Sequence, residues 1–392
     1  MEDNISKFLR ERIDAGDFPS AVYLVAEKGE IVVHDALGFA VAEPEMIHAT
    51  PDTIYDLASL TKVLVSGLLA AKLIEKRAFD FEQPVSSALP EFKGPTEDKI
   101  KIRHLLTHTS GLKNWFPFYL FEDRNEPEQP EQTILRVIAK EPPEGRPGEA
   151  VIYSDLNFLV LMALIESIGK RRFLELFESE IVGPLKVTRT FFNPTHGKKP
   201  EIAASELGNY YERKTCQDLG FFDSFLVPRE YKEAREKGID VMAYKWRDYQ
   251  IWGEVHDANA YFMGGVAGHA GLFSTAEDVF NIALQFLPNY TTLLKPETCL
   301  LFRTNFTKGM NENRSFAFQL ASTPDSTAGP HMSPESFGHL GFTGTSLWID
   351  PVKERIFVLL TNRTHNHTLP FVNINSTRRR FHDLAVEYLE KK

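Results

Sequence analysis

Ile54-Tyr55-Asp56-Leu57-Ala58-Ser59-Leu60-Thr61-Lys62 opens a long apolar run, and the reading of this stretch decides the fold. From about Ser59 to Lys76 the spacing predicts a helix that is apolar nearly all round, through Leu60, Val63, Leu64, Val65, Leu68, Leu69 and onward to Ile74. A helix without a polar face belongs in an interior. Ser59 and Lys62, one turn apart, then share one face near its start. A serine hydroxyl is a weak nucleophile at neutral pH and needs a neighbour to take its proton. A lysine can do so only where burial or nearby cations depress its pKa. Lys62 is a charge in a place that demands a partner or a task. The S-x-x-K pattern is short and recurs by chance in ordinary helices, so its weight depends on partners elsewhere in the chain.

The bulk properties narrow the field. The 392 residues are 43% hydrophobic and 25% charged, an ordinary globular composition. The length suits two or three domains, or one domain carrying a large insertion. A net charge of -10 argues against a nucleic-acid partner. The densest basic cluster, Arg378-Arg379-Arg380, reads as the cap or solvated face of a helix. Cys216 and Cys299 make neither a disulfide framework nor a zinc spacing. No basic segment followed by an apolar one stands at Met1–Ser6, so a cytoplasmic location is expected, with export only if a leader has been trimmed. No apolar run reaches membrane-spanning length. Nothing in the sequence speaks to oligomeric state.

Taken in order, residues 3–15 predict an amphipathic helix with Ile5, Phe8, Leu9 and Ile13 on one face. Residues 21–26 and 31–34, around Lys28-Gly29, predict a hairpin. Residues 101–112 predict a short helix stopped at Gly111. His104 and His108 there stand at a metal-ligand spacing, but no acidic third ligand accompanies them, and hydrogen bonds at the helix end are the better reading. Further helices are expected near 131–139, after the stretch Val151–Asn157 and through Ile168, over 172–187, over 229–237, and from about Asn373 to Glu390. Ser274 to Glu277 fits a capping box. The glycines between Gly264 and Gly271 imply close backbone packing. Strands are expected over 316–321, 337–349 and 355–361. His256, Asp257, Asn259 and His269 form a polar cluster, read as a hydrogen-bonded brace of a site wall in preference to a metal site.

Three pieces line up in sequence: Ser59-Leu60-Thr61-Lys62, Tyr153-Ser154-Asp155 and His339-Leu340-Gly341. Their order and rough spacing resemble the serine β-lactamase and penicillin-binding-protein superfamily, and within it the class C β-lactamase branch, which includes D,D-peptidases and family VIII carboxylesterases. The likeness extends through 104–112, 253–260, 264–274 and 339–351, and covers most of the chain outside 205–250. It implies an α+β, β-lactamase-like fold: an antiparallel sheet flanked by helices on both faces, built from residues 1–80 and 270–392, with a mostly helical domain inserted over 81–269 and a variable rim segment at 205–250. It implies Ser59 as the acylated nucleophile and Lys62 as the group that holds its hydroxyl. Tyr153 would serve as general base and then as acid to the leaving group. A phenol gives up its proton near neutral pH only beside a positive charge, which Lys62 could supply. The backbone N–H groups of Ser59 and Phe342 would form the oxyanion hole, each contributing about 3 kcal/mol to the transition state. Asp155, His339 and Gly341 would line the substrate site.

Two departures from the family pattern bear on function. Asp155 stands where the second motif has asparagine; an ionised carboxylate donates no hydrogen bond. It would pair with Lys62 and leave more of the base role to Tyr153. His339-Leu340-Gly341 stands where Lys-Thr-Gly is usual, so a mostly neutral histidine replaces a fixed cation, and Leu340 replaces a hydroxyl. A register with Phe342-Thr343-Gly344 as third motif is also open, but it keeps no cation either. The two changes in the third motif, His339 and Leu340, weaken the expected grip on β-lactams or on a D-alanine terminus. The resemblance therefore implies a serine hydrolase acting through an acyl-enzyme on small esters, amides or peptides, with no metal or organic cofactor. The alternatives are a D,D-peptidase or β-lactamase, or a binding protein that kept the fold without the chemistry.

Overall fold

The computed structural model describes residues 3–94, 99–121, 129–194, 196–222 and 244–391. Its strands are β1 (Ser20–Glu27), β2 (Glu30–Val41), β3 (Ile47–His48), β4 (Tyr55–Asp56), β5 (Phe191–Phe192), β6 (Leu272–Ser274), β7 (Gln319–Leu320), β8 (Phe337–Leu340), β9 (Ser346–Asp350) and β10 (Arg355–Thr361). Seven form one sheet in the order β3-β2-β1-β10-β9-β8-β7; β4, β6 and β5 form a small second sheet. The neighbouring strands pair antiparallel. The expected hairpin turns at Lys28 and Gly29, both at positive φ (51° and 79°), the geometry that matches strand twist.

β1 is buried on both faces because its apolar run does not alternate with polar residues. Val22, Leu24 and Ala26 join Val358 and Leu360 in a core shared with the Ser59 helix. Ala21, Tyr23 and Val25 face the other way, with Phe357 and Leu359, onto the helices Asn4–Asp14 and Asn375–Glu390. The helices Ile102–Leu106, Pro130–Lys140 and Asp155–Gly169 follow between β4 and β5.

Several expected elements differ in detail. The helix after Ser59 is buried as expected, but its first part, Lys62–Gly67, is wound in wide π-type turns before Leu68–Glu75 continues as an α-helix. The helix expected over 101–112 spans only Ile102–Leu106, because His108 takes a left-handed φ of 56°. Over 316–321 only Gln319–Leu320 is a strand; Ala317 is left-handed (φ 68°), and Phe316 and Phe318 are buried for packing against Phe302, outside any ladder. The single strand expected over 337–349 is a hairpin, β8 and β9 joined by a tight turn in which Gly341 N–H donates to Thr345 O (2.8 Å) and Gly344 adopts φ 115°. The cap expected at Ser274 sits one residue on: Thr275 Oγ1 accepts from Asp278 N (3.2 Å), while Ser274 belongs to β6. The helix expected over 229–237 lies outside the described residues.

His382, on the C-terminal helix, is fully buried behind the sheet, with Nδ1 2.6 Å from Thr327 O. Burial, and secondarily Arg378, push its pKa down to about 3. A group whose folded pKa is depressed in this way takes up its proton more readily when the chain unfolds. Its contribution is complete above the unfolded value of about 6.5 and is lost as pH falls from there toward 3, at about 1.4 kcal/mol per pH unit. The expected result is a flatter fall of Tm between pH 6.5 and 4.5 in His382→Gln than in the parent; parallel curves would remove His382 from the acid lability.

Candidate active site

Ser59 stands at the foot of its helix because the residues before it are pinned from three sides. Tyr55 and Asp56 pair with Ser274 and Phe273 of β6, and Leu57 N donates to Leu272 O (2.9 Å). The buried carboxyl of Asp56 accepts from Ala58 N (2.9 Å) and from His256 N (2.8 Å). Ala58 is thereby held at φ 46°, a strained conformation for a residue with a β-carbon, and Ser59 is turned toward a cleft of about 730 Å³. The helix itself is fastened by Ser66 Oγ donating to Gly268 O (2.6 Å). A β-carbon on Gly268 would lie 2.3 Å from Phe158 O, so the expected close packing of this glycine-rich segment is met there.

Lys62 is wholly buried. Its ammonium donates to Ser59 Oγ (2.9 Å) and to His269 O (3.1 Å), and it lies 2.6 Å from Asp155 Oδ1. Burial alone would lower its pKa; Asp155, followed by Tyr153, more than offsets this, and the amine is held above its ordinary value. Lys62 therefore stays protonated and presents a hydrogen-bond donor to the serine. Tyr153 borders the same cleft, with Lys62 Nζ 5.2 Å and the Arg314 guanidinium carbon 5.4 Å from its ring centroid. It is placed by the loop after the helix Ile102–Leu106. Ile152 N donates to His108 O (2.8 Å), Ser154 N to His108 Nδ1 (3.0 Å), and Asp155 N to Asn114 O (2.8 Å). The rings of His108 and Tyr153 are 4.5 Å apart.

The third motif forms the opposite wall. His339 lies on β8; its Nδ1–H donates to Leu340 O (2.9 Å), and burial, with Arg314 and Lys62, pushes its pKa well down, so it is neutral. Gly341 and Phe342 begin the β8–β9 turn, which is stapled to the residues before Ser59: Thr343 Oγ1 donates to Asp56 O (2.7 Å) and Thr345 Oγ1 to Leu57 O (3.0 Å). A β-carbon on Gly341 would meet Leu57 O at 2.6 Å. Neither the Ser59 nor the Phe342 backbone N–H donates to another group among the described residues.

The remaining polar groups separate by task. His104 Nδ1 accepts from Lys101 N (3.1 Å) and His108 Nδ1 from Ser154 N, so the two histidines serve different backbone groups. His256 pairs with Glu206 (2.8 Å), His269 with Asp257 (3.1 Å), and Asn259 bridges Phe116 O and Phe118 N. Asp155, Asp257 and His269 lie within 4.8 Å of one another, close enough to hold a cation, but the Lys62 ammonium already supplies positive charge beside Asp155. Two contributions are not apparent in the motifs. The helix Tyr210–Asp218 brings Tyr211, Glu212 and Asp218 to the cleft; Glu212 is buried, and desolvation and Asp257 push its pKa up to about 7. Arg314 reaches Tyr153 from the segment before β7. The T-G-T after Gly341 was a legible signal for the staples; nothing local in the sequence marks Glu212 or Arg314.

The family model described as Beta-lactamase matches residues 5–375. The chain belongs to the β-lactamase family. A provisionally named D-alanyl-D-alanine carboxypeptidase of Salmonella agona is 33% identical over 403 aligned residues, spanning 94% of this chain and 84% of the relative. Among solved structures, EstCE1, "a hydrolase with promiscuous acyltransferase activity", superposes with TM-score 0.68 at 21% identity, covering 97% of both chains. The octameric penicillin-binding protein homologue from Pyrococcus abyssi gives 0.70 at 18% identity over 98% of this chain and 76% of that one. A class C β-lactamase gives 0.69 at 15%, over 99% and 97%. These structural likenesses show the β-lactamase-like fold. As a member of the β-lactamase family, the protein is a serine hydrolase.

Proposed function

We propose that this β-lactamase-family hydrolase cleaves small esters or amides through an acyl-enzyme on Ser59. The observation that carries the reading is the placement of Lys62 Nζ 2.9 Å from Ser59 Oγ and 2.6 Å from Asp155. An ammonium held charged by a carboxylate orients the serine hydroxyl but cannot take its proton. Tyr153 is left to accept that proton as Ser59 Oγ attacks the carbonyl carbon, and to return it to the departing alcohol or amine. To accept it the phenol oxygen must first be a phenolate, as it is again once the proton has gone to the leaving group, and two cations beside the ring compensate that charge. The N–H groups of Ser59 and Phe342 receive the oxyanion. Water then repeats the sequence on the acyl-serine and releases the acid.

The substrate preference follows from the third wall. His339 is neutral, and the guanidiniums of Arg378 and Arg363 donate to the backbone carbonyls of Gly341, Thr345, Phe342 and Val372. The third motif itself therefore holds no cation for a substrate carboxylate, which favours esters, although the guanidiniums of Arg314, Arg363 and Arg378 also line the cleft. The Salmonella relative's name favours a second reading, a D,D-peptidase. One assay set separates them: p-nitrophenyl acetate and butyrate, nitrocefin, and a peptide ending in D-Ala-D-Ala, together with fluorophosphonate labelling and mapping of the adduct. Ester turnover with an adduct on Ser59 supports the first reading. Turnover of the peptide or nitrocefin alone overturns it, and no turnover with no adduct leaves a binding protein.

Asp155→Asn tests the charge argument. Without the carboxylate, burial dominates and the Lys62 pKa drops. The pH profile of kcat/KM is then expected to extend to lower pH, as Lys62 becomes able to share the base role. An unchanged profile would show that Asp155 does not govern Lys62.

A further inference from the structure

Two guanidinium groups border the turn that carries Phe342, and neither is paired with a carboxylate among the described residues. Arg378, on the first turn of the C-terminal helix, is buried. Its Nη2 donates to Gly341 O (2.7 Å) and to Thr345 O (2.9 Å), its Nη1 donates to Asn375 Oδ1 (3.0 Å), and its Nε has no partner. Burial and the neighbouring Arg363 push its pKa down to about 9, which leaves it charged at neutral pH. A buried cation without a counter-ion is costly, and hydrogen bonds to carbonyl oxygens are what it has in exchange.

The Gly341 carbonyl belongs to the same peptide unit as the Phe342 N–H. A peptide unit is planar and trans, so its oxygen and its hydrogen point in opposite directions. Holding the oxygen on the side of the C-terminal helix turns the hydrogen away from that helix. Gly341, Phe342 and Ser59 all border the cleft, which Asn375 and Arg378 of that helix also reach. A charged donor on the carbonyl also polarises the amide and makes its N–H a stronger donor. The place of the turn is set separately, by Thr343 and Thr345 on the carbonyls of Asp56 and Leu57. The same Arg378 nitrogen spans both arms of the turn, Gly341 and Thr345, beside the Gly341 N–H bond to Thr345 O.

We propose that Arg378 is a positioning residue of the oxyanion hole: it fixes the direction of the Phe342 N–H and strengthens it toward the developing oxyanion. This rests on the reading of Phe342 as an oxyanion donor. The threonines locate the turn, and Arg378 aims it.

The test compares kcat/KM for p-nitrophenyl acetate with that for its thiono counterpart, in the parent and in Arg378→Met. Sulfur is a weak hydrogen-bond acceptor, so an intact hole favours the oxygen ester. In Arg378→Met the oxygen-to-sulfur ratio is expected to fall about tenfold, part of the loss seen when an oxyanion donor is removed outright. Arg378→Lys is expected to lie between. Both rates come from the same active sites, so a smaller folded fraction cancels in the ratio. If Arg378→Met does not accumulate, the lysine variant carries the comparison. An unchanged ratio in a variant, with the parent still preferring oxygen, refutes the role of Arg378 and spares the hole. A parent that acylates Ser59 yet shows no oxygen preference removes the hole and the proposal together.

Discussion

Ser59→Ala is expected to remove turnover of every substrate the enzyme accepts, by at least about 10⁴-fold, because Ser59 Oγ is the cleft hydroxyl that the Lys62 ammonium holds. The fold should survive the change. Ser59 is partly exposed, and its hydroxyl makes a hydrogen bond to Lys62, which keeps Asp155 and the carbonyl of His269. Circular dichroism and the thermal midpoint should therefore match the parent while fluorophosphonate labelling disappears. Residual activity of more than a few per cent in that variant would place the nucleophile elsewhere.

The second large effect is expected at Tyr153. Tyr153→Phe keeps the ring 4.5 Å from that of His108 and beside the two cations, so packing is preserved while the oxygen is lost. If the phenol carries the proton, kcat should fall by about 10²- to 10⁴-fold with little change in KM. The pH dependence that remains should then report only the Lys62–Asp155 pair. A variant with the parent's rate and pH profile would assign the proton to Lys62. It would also mean that the carboxylate 2.6 Å away does not keep the amine charged in the working enzyme.

Much of this was legible before any coordinates. The three motifs identify the family, and the apolar runs of β1 and of the Ser59 helix locate the core, because burial imposes periodicity directly on sequence. Asp155 beside Lys62 could be anticipated from a single departure in the second motif. What escaped was of a different physical kind. The turn at Gly341–Thr345 reads as strand, because its one aromatic, Phe342, packs against Tyr211, His256 and Arg363 and not on a sheet neighbour. Phe316 and Phe318 look like strand residues because they are buried, yet burial without a ladder partner leaves the same trace. Glu212 and Arg314 enter the cleft from segments distant in the chain, so no local spacing could mark them. Arg378 reads as a solvated cap in a basic triplet, and only the carbonyls it meets show otherwise.

β1 lies between β2 and β10, and Ser20 reaches across 342 positions to bond Asn362. Ser59 is therefore synthesised long before the strand that completes the sheet behind it. Until β10 is made, the opening hairpin keeps one edge open. Any nascent or truncated product ending before Phe337 carries the serine and the lysine but no β8–β9 turn to face them. Such a product presents Ser59 to solvent without the turn that faces it, and its unpaired sheet edge is the kind of surface that holding factors bind.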